Sequence, residues 1–160
     1  MSMGGLFDSF FIGGFECASH RRRDGVRLDL LGSTGHDRWA PEDFAAMAEH
    51  GIRTVRDGMR WHLIETSPNC YDWSSFLPML RAARRQGTQV IWDLCHYGYP
   101  AVAQVVKDEG ETAPFYSPIN EISFWSWAGG EVAYFNPGSR QRGMELKQQL
   151  VRASIAAIEA

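Results

Sequence analysis

Four short apolar runs, each followed by a longer stretch with helical spacing, constrain this chain more than any other feature. The runs are Phe10 to Phe15, Arg53 to Arg56, Gln89 to Leu94 (QVIWDL) and Phe115 to Ile119 (FYSPI). Alternation of this kind describes a parallel sheet with crossover helices, whose strands are normally buried on both faces. Helix ends are written between the runs. Pro41 stands where a first turn begins and PEDFAAMAEH stops before Gly51, the pairing of proline inside a helix start with glycine past its end. Asp72 can cap WSSFLPMLRAARRQ, whose arginines Arg81, Arg84 and Arg85 crowd the end before Gly87, as the helix dipole favours. Pro78 bends this helix unless the helix begins near it. AVAQVVKDE (101–109) predicts a short third helix and Arg142 to Ala160 a fourth, with Met144, Leu146, Leu150, Val151, Ile155 and Ile158 near helical spacing.

No repeat or low-complexity linker interrupts these units, so residues 1–160 are expected to form a single globular unit of α/β class. Apolar residues make up 44% of the chain, enough for one core. The formal charge of −3 gives no long-range field for nucleic acid or an anionic membrane. Cys17, Cys70 and Cys95 are too scattered for a disulfide framework or a zinc pair, and a reducing cytoplasm fits them. No signal peptide or membrane span is legible in MSMGGLFDSFFIGGF. The last helical pattern runs to Ala160 without glycine, asparagine or proline, so the sequence reads as part of a longer one.

In parallel α/β folds the loops leaving the C-terminal strand ends share one mouth. Glu16, Ser19 and His20 follow the first run, and Arg56, Asp57 and Arg60 end the second. Asp93, His96 and Tyr97 end the third, and Asn120 and Glu121 the fourth. Polar side chains otherwise costly to bury collect there, among Phe15, Trp61, Tyr97, Tyr99, Phe124, Trp125 and Trp127. Flat rings rimmed by polar groups suit a sugar, with its CH-rich faces and belt of hydroxyls, so carbohydrate is the expected ligand. Trp125 and Trp127, two apart, are expected to face opposite ways, one toward sugar and one toward core. Arg21 to Arg23 reads either as a solvated loop or as a seat for an anionic group. Cys95 and His96 lack a third ligand at metal spacing, and no metal or cofactor is expected.

These residues carry a resemblance. Ile119-Asn120-Glu121 after the fourth run looks like the strand-four Asn-Glu of (β/α)₈-barrel glycoside hydrolases. VIWDLCHYGYP (90–100) and Val55-Arg56-Asp57-Gly58-Met59-Arg60-Trp61 are similar to the strand-three and strand-two segments of glycoside hydrolase family 1, the β-glucosidase type. The resemblance implies an α/β fold, the first four βα units of a (β/α)₈ TIM barrel, and retaining hydrolysis of β-linked glucosides. It makes Glu121 the acid/base, Asn120 a donor to the 2-hydroxyl, Arg56 a support for the nucleophile, and His96 a partner of the sugar; from their places among the aromatic residues of the mouth, Tyr97 and Trp127 are expected to bind the sugar as well. Glu16 stands where the family has a glutamine, keeping an acceptor and losing a donor. The family's nucleophile sits in a Glu-Asn-Gly, which does not occur here; Glu16, Glu65, Glu131 and Asp93, the last taken to lie within its strand, are poor substitutes. Only about seventeen residues join Tyr97 to Phe115, above the minimum of roughly 10 to 12 for a crossover but short for the family. The alternative is a non-catalytic sugar-binding half barrel. An open four-stranded sheet is in either case expected to pair through its edges into a homodimer.

Overall fold

The computed structural model describes residues 6–68, 70–94 and 115–159. Four strands form one parallel sheet: β1 (Ile12–Gly14), β4 (Thr54–Gly58), β7 (Gln89–Asp93) and β8 (Phe115–Ser117), in that spatial order. Register pairs Gly14 with Arg56, Arg56 with Ile91, Gly58 with Asp93, and Asp93 with Ser117. Each strand sits beside the next in sequence, the arrangement of a barrel wall.

Strand side chains alternate between two layers. Val55, Val90 and Trp92 point to the helices and are fully buried, Trp92 edge-on to Phe76 with ring centroids 4.9 Å apart. Thr54, Arg56, Gln89 and Asp93 lie on the other face, where the Thr54 hydroxyl donates to Gln89 Oε1 at 2.8 Å and Arg56 meets Asp93. Helices α2 (His36–Glu49) and α4 (Leu77–Gln86) cover the first layer with Ala40, Phe44, Met79, Leu80, Ala82 and Ala83. Each large side chain so buried contributes about 1.5–3 kcal/mol.

Two hairpins not foreseen from the apolar pattern hang on this frame: β2 (Ser19–Arg21) with β3 (Arg27–Asp29), and β5 (Glu65–Ser67) with β6 (Cys70–Tyr71). The first turns at Asp24-Gly25, with Gly25 at φ 82°. Asp29 ends β3 and caps the short α1 (Leu30–Thr34), accepting from Gly32 N at 3.0 Å. The one-turn α3 (Trp61–Ile64) follows β4. After β8 come α5 (Ile122–Trp125), a π-helical turn (Ser126–Glu131) and α6 (Gly143–Glu159).

Several boundaries differ from expectation. The first strand is three residues long, and Phe10 and Phe11, 93% and 72% exposed, precede it. Their segment is instead held by Ser9 Oγ, which accepts from Arg53 N and Thr54 N at 3.0 Å each. Neither β1 nor β8 is buried on both faces, because each is an outer strand of the described sheet. Helix α2 starts five residues before Pro41, as buried His36 and Ala40 anchor an extra turn and outweigh one missing backbone hydrogen bond. Asp72 caps a turn at Ser74 N, 2.8 Å away, rather than α4, which begins at Leu77 with Pro78 in its first turn. Gly87, at φ 63°, closes α4 by donating to Ala83 O and Arg84 O. The predicted helix over 101–109 lies outside the described residues.

Candidate active site

The C-terminal ends of β4, β7 and β8 converge on one guanidinium. Arg56 donates from Nε to Asp93 Oδ1 at 3.0 Å, and its Nη2 lies 2.8 Å from Asp93 Oδ2. The same Nη2 donates to the side-chain oxygen of Asn120. Such a two-point pair fixes the plane of the arginine as well as its position. Burial works against the Arg56 charge, but Asp93 more than offsets it and holds the guanidinium above its ordinary pKa, with Glu121 adding a smaller attraction.

Beneath this clamp Cys17 Sγ donates to Asp93 Oδ2 at 3.4 Å. Burial first, then the charge of Asp93, pushes the Cys17 thiol far above its ordinary pKa, so it remains a donor. Gly58 makes the approach possible: a Cβ there would stand 2.6 Å from Cys17 Sγ and 3.3 Å from Asp93 Cβ. Glu16, Arg56, Cys17 and Asp93 line a recess of about 290 Å³. Glu16 is exposed at its mouth and accepts from Ala18 N at 3.0 Å.

Asn120 is buried, and Glu121 follows it as an exposed residue at φ 46°, ψ 53°. Left-handed backbone is rare for a side chain of this size and costs about 1–2 kcal/mol. It turns the chain sharply from β8 into α5, whose Trp125 N donates to Glu121 O at 2.9 Å. Trp125 is half-buried with its indole N–H donating to Asn136 O at 2.8 Å. Trp127 is more exposed and packs with Phe124 and Tyr134. His96 and Tyr97 lie outside the described residues, as does Cys95.

The chain aligns over most of its length with solved β-glucosidases. A rice β-glucosidase superposes with TM-score 0.67 at 12% identity, over 92% of this chain and 43% of its own. A β-glucosidase from Thermotoga maritima gives 0.63 at 15% identity, over 78% and 34%. The psychrophilic β-glucosidase of Micrococcus antarcticus gives 0.61 at 14%, over 78% and 32%. This chain has the fold of part of a β-glucosidase barrel. It spans from 32% to 43% of the length of these chains. No protein-family model matches the sequence, and no curated protein does.

Within this partial barrel, Asp93 is placed at the mouth by the sequence, but its pairing with Arg56 is not. It is the last residue of β7 and binds Arg56, a partner that nothing in the run QVIWDL points to. A charge so enclosed was the available signal, because a buried carboxylate demands a cationic partner. Asp57, expected at the mouth, turns instead to the helix-covered face of β4, fully buried and 3.1 Å from His36 Nε2, whose Nδ1 lies 2.7 Å from Asp43 Oδ2. His36 stacks on Phe15 at 3.8 Å. Among the described residues no group of three or more His, Cys, Asp or Glu could hold a metal ion, and no helix is long and apolar enough to cross a membrane.

Proposed function

We propose that this chain supplies the acid/base side of a retaining glycosidase site for β-linked glucosides. The observation that supports it most is the Arg56 to Asn120 contact, which ties the end of β4 to the residue before Glu121. In this reading Glu121 protonates the oxygen of the departing group and then takes a proton from the incoming water. Asn120, oriented by Arg56, donates to the 2-hydroxyl; Glu16, His96, Tyr97 and Trp127 contact the sugar. The mechanism needs a second carboxylate about 5 to 5.5 Å from Glu121, supplied from outside these 160 residues. Residues 1–160 act as one unit of the barrel. A cytoplasmic setting suits the exposed free thiol of Cys70.

The test uses the full chain, phenyl β-glucoside and azide as external nucleophile, since a phenoxide leaving group needs a proton and azide can stand in for the missing carboxylate. Azide-dependent release of phenol is expected, and Glu121→Gln should lower it by about 10² or more. A rate indifferent to Glu121→Gln at every azide concentration ends the proposal. Absence of turnover together with saturable glucose binding would favour a non-catalytic sugar-binding role, for which the open recess at Glu16 and Arg56 speaks.

A further inference from the structure

A second pocket opens at the same rim, between the β2–β3 hairpin and the segment after β8. The hairpin follows the C-terminal end of β1 and α5 follows that of β8, so both walls belong to the mouth. Phe124 is three residues past Glu121, in the one-turn helix that follows it. The pocket, about 720 Å³, is lined by His20, Arg22, Arg23, Leu28, Phe124 and Tyr134, with Asp24 and Phe135, a size usual for a small organic ligand.

One wall is a continuous run of rings. His20 lies 4.7 Å from Phe135, Phe135 5.8 Å from Phe124, Phe124 5.9 Å from Trp127, and Trp127 5.5 Å from Tyr134. Phe124, Trp127 and Tyr134 are 44%, 47% and 56% exposed, and contiguous apolar surface of this kind marks a binding site. Neighbouring rings at the pocket tilt 43° and 44° to each other, offering both a face and an edge, as aromatic pairs require.

The hairpin also lends the pocket cationic groups, in a chain of net charge −3. Arg22 is matched by Asp24 at 2.5 Å. Arg23 has no carboxylate partner among the described residues, yet its backbone is fixed, donating to Tyr134 O at 3.0 Å. A guanidinium so placed suits a carboxylate, which meets its fork at two points.

We infer that this pocket binds an aromatic ring carrying a carboxylate. Resting on the reading of Glu121 above, such a ring is the leaving group of the glycoside, its phenolic oxygen toward Glu121 and its carboxylate toward Arg23.

The experiment titrates the full chain with 4-hydroxybenzoate and with uncharged 4-hydroxybenzyl alcohol, following tryptophan fluorescence, since Trp127 adjoins the wall. The benzoate should bind about tenfold tighter. Arg23→Ala, at an exposed hairpin tip, should erase that difference, and Tyr134→Ala should weaken both probes. Azide-dependent turnover that survives Glu121→Gln, with the Arg23-dependent preference for the benzoate intact in the unaltered chain, speaks against the Glu121 reading alone. Equal affinity for the two probes, no effect of Arg23→Ala, or equally tight binding of glucuronate would overturn the inference.

Discussion

At the scale of single residues, Glu121 is the point where backbone strain meets the proposed acid/base role. Its φ of 46° is tolerated readily only by glycine, and a strained residue at a strand end is typical of positions held for function rather than stability. Glu121→Gly is therefore expected to raise the melting temperature by about 3 °C, corresponding to about 1 kcal/mol, whereas Glu121→Ala, which keeps the Cβ, should not. Equal melting temperatures for the two variants would show that the backbone carries no strain. Asp93 behaves oppositely. Asp93→Asn keeps the shape of the Arg56 clamp but removes the charge, and urea denaturation should register a loss of about 2 kcal/mol, the range for hydrogen bonds to charged groups. An unchanged midpoint would mean that Arg56 does not depend on Asp93. Arg56, Asn120 and Glu121 could be picked out in the sequence because each stands at the end of an apolar run. Asp93 could not be matched with Arg56, since 37 residues separate them and no local pattern links their strands. The left-handed turn at Glu121 is likewise invisible, because it is imposed by where β8 ends and α5 begins.

At the scale of elements, a buried ion cluster joins α2 to β4. His36 has Asp43 at one ring nitrogen and Asp57 at the other, and a neutral imidazole carries only one N–H. The cluster must therefore hold one extra proton, either on the ring or on Asp57. Burial lowers the His36 pKa, but hydrogen bonding and charge from Asp57, then Asp43, outweigh it and raise the value overall. Burial raises the Asp57 pKa, offset in part by His36. Both shifts favour the proton-bound folded state, so the stabilisation is present below the unfolded histidine value of about 6.5 and is lost as pH rises through the folded value. Urea midpoints should fall between about pH 6.5 and about pH 8, below the range where thiols ionise, and His36→Gln should flatten that slope. A flat wild-type profile would refute the shared proton. The same cluster explains why the start of α2 was misplaced in the sequence. Proline is a strong local signal, but the tertiary anchor at His36 is not local and wins. The β2–β3 hairpin was legible in principle, as Asp24-Gly25 between two strand-like stretches is a turn signal; the surrounding arginines drew attention to charge instead.

At the scale of the molecule, the order of the four parallel strands was readable because each apolar run is followed by a sequence pattern of helical spacing, and short connections put consecutive strands side by side. The inner face of the sheet is different in kind from the helix-covered face. Near the strand starts it is crossed by the segment from Leu6, whose Asp8 N donates to Thr54 Oγ1 at 3.0 Å and whose Phe7 lies 5.5 Å from Phe115. Beyond that crossing, Ile12 is 46% exposed on outer strand β1, and α6 presents Met144, Val151, Ile155 and Ile158 to solvent, at spacings that form one stripe. An outer strand offers unpaired backbone groups to another chain, and a lysine on such a strand opposes that pairing. Light scattering of the 160-residue chain should thus give twice the monomer mass of 18.0 kDa, and Ile12→Lys should return it to the monomer value while Ile155→Lys tests the helix stripe separately. If Ile12→Lys leaves the dimer intact and Ile155→Lys dissolves it, the contact runs through α6 and not through the sheet edge; a monomer at every concentration would mean that the segment from Leu6 already protects the open face well enough.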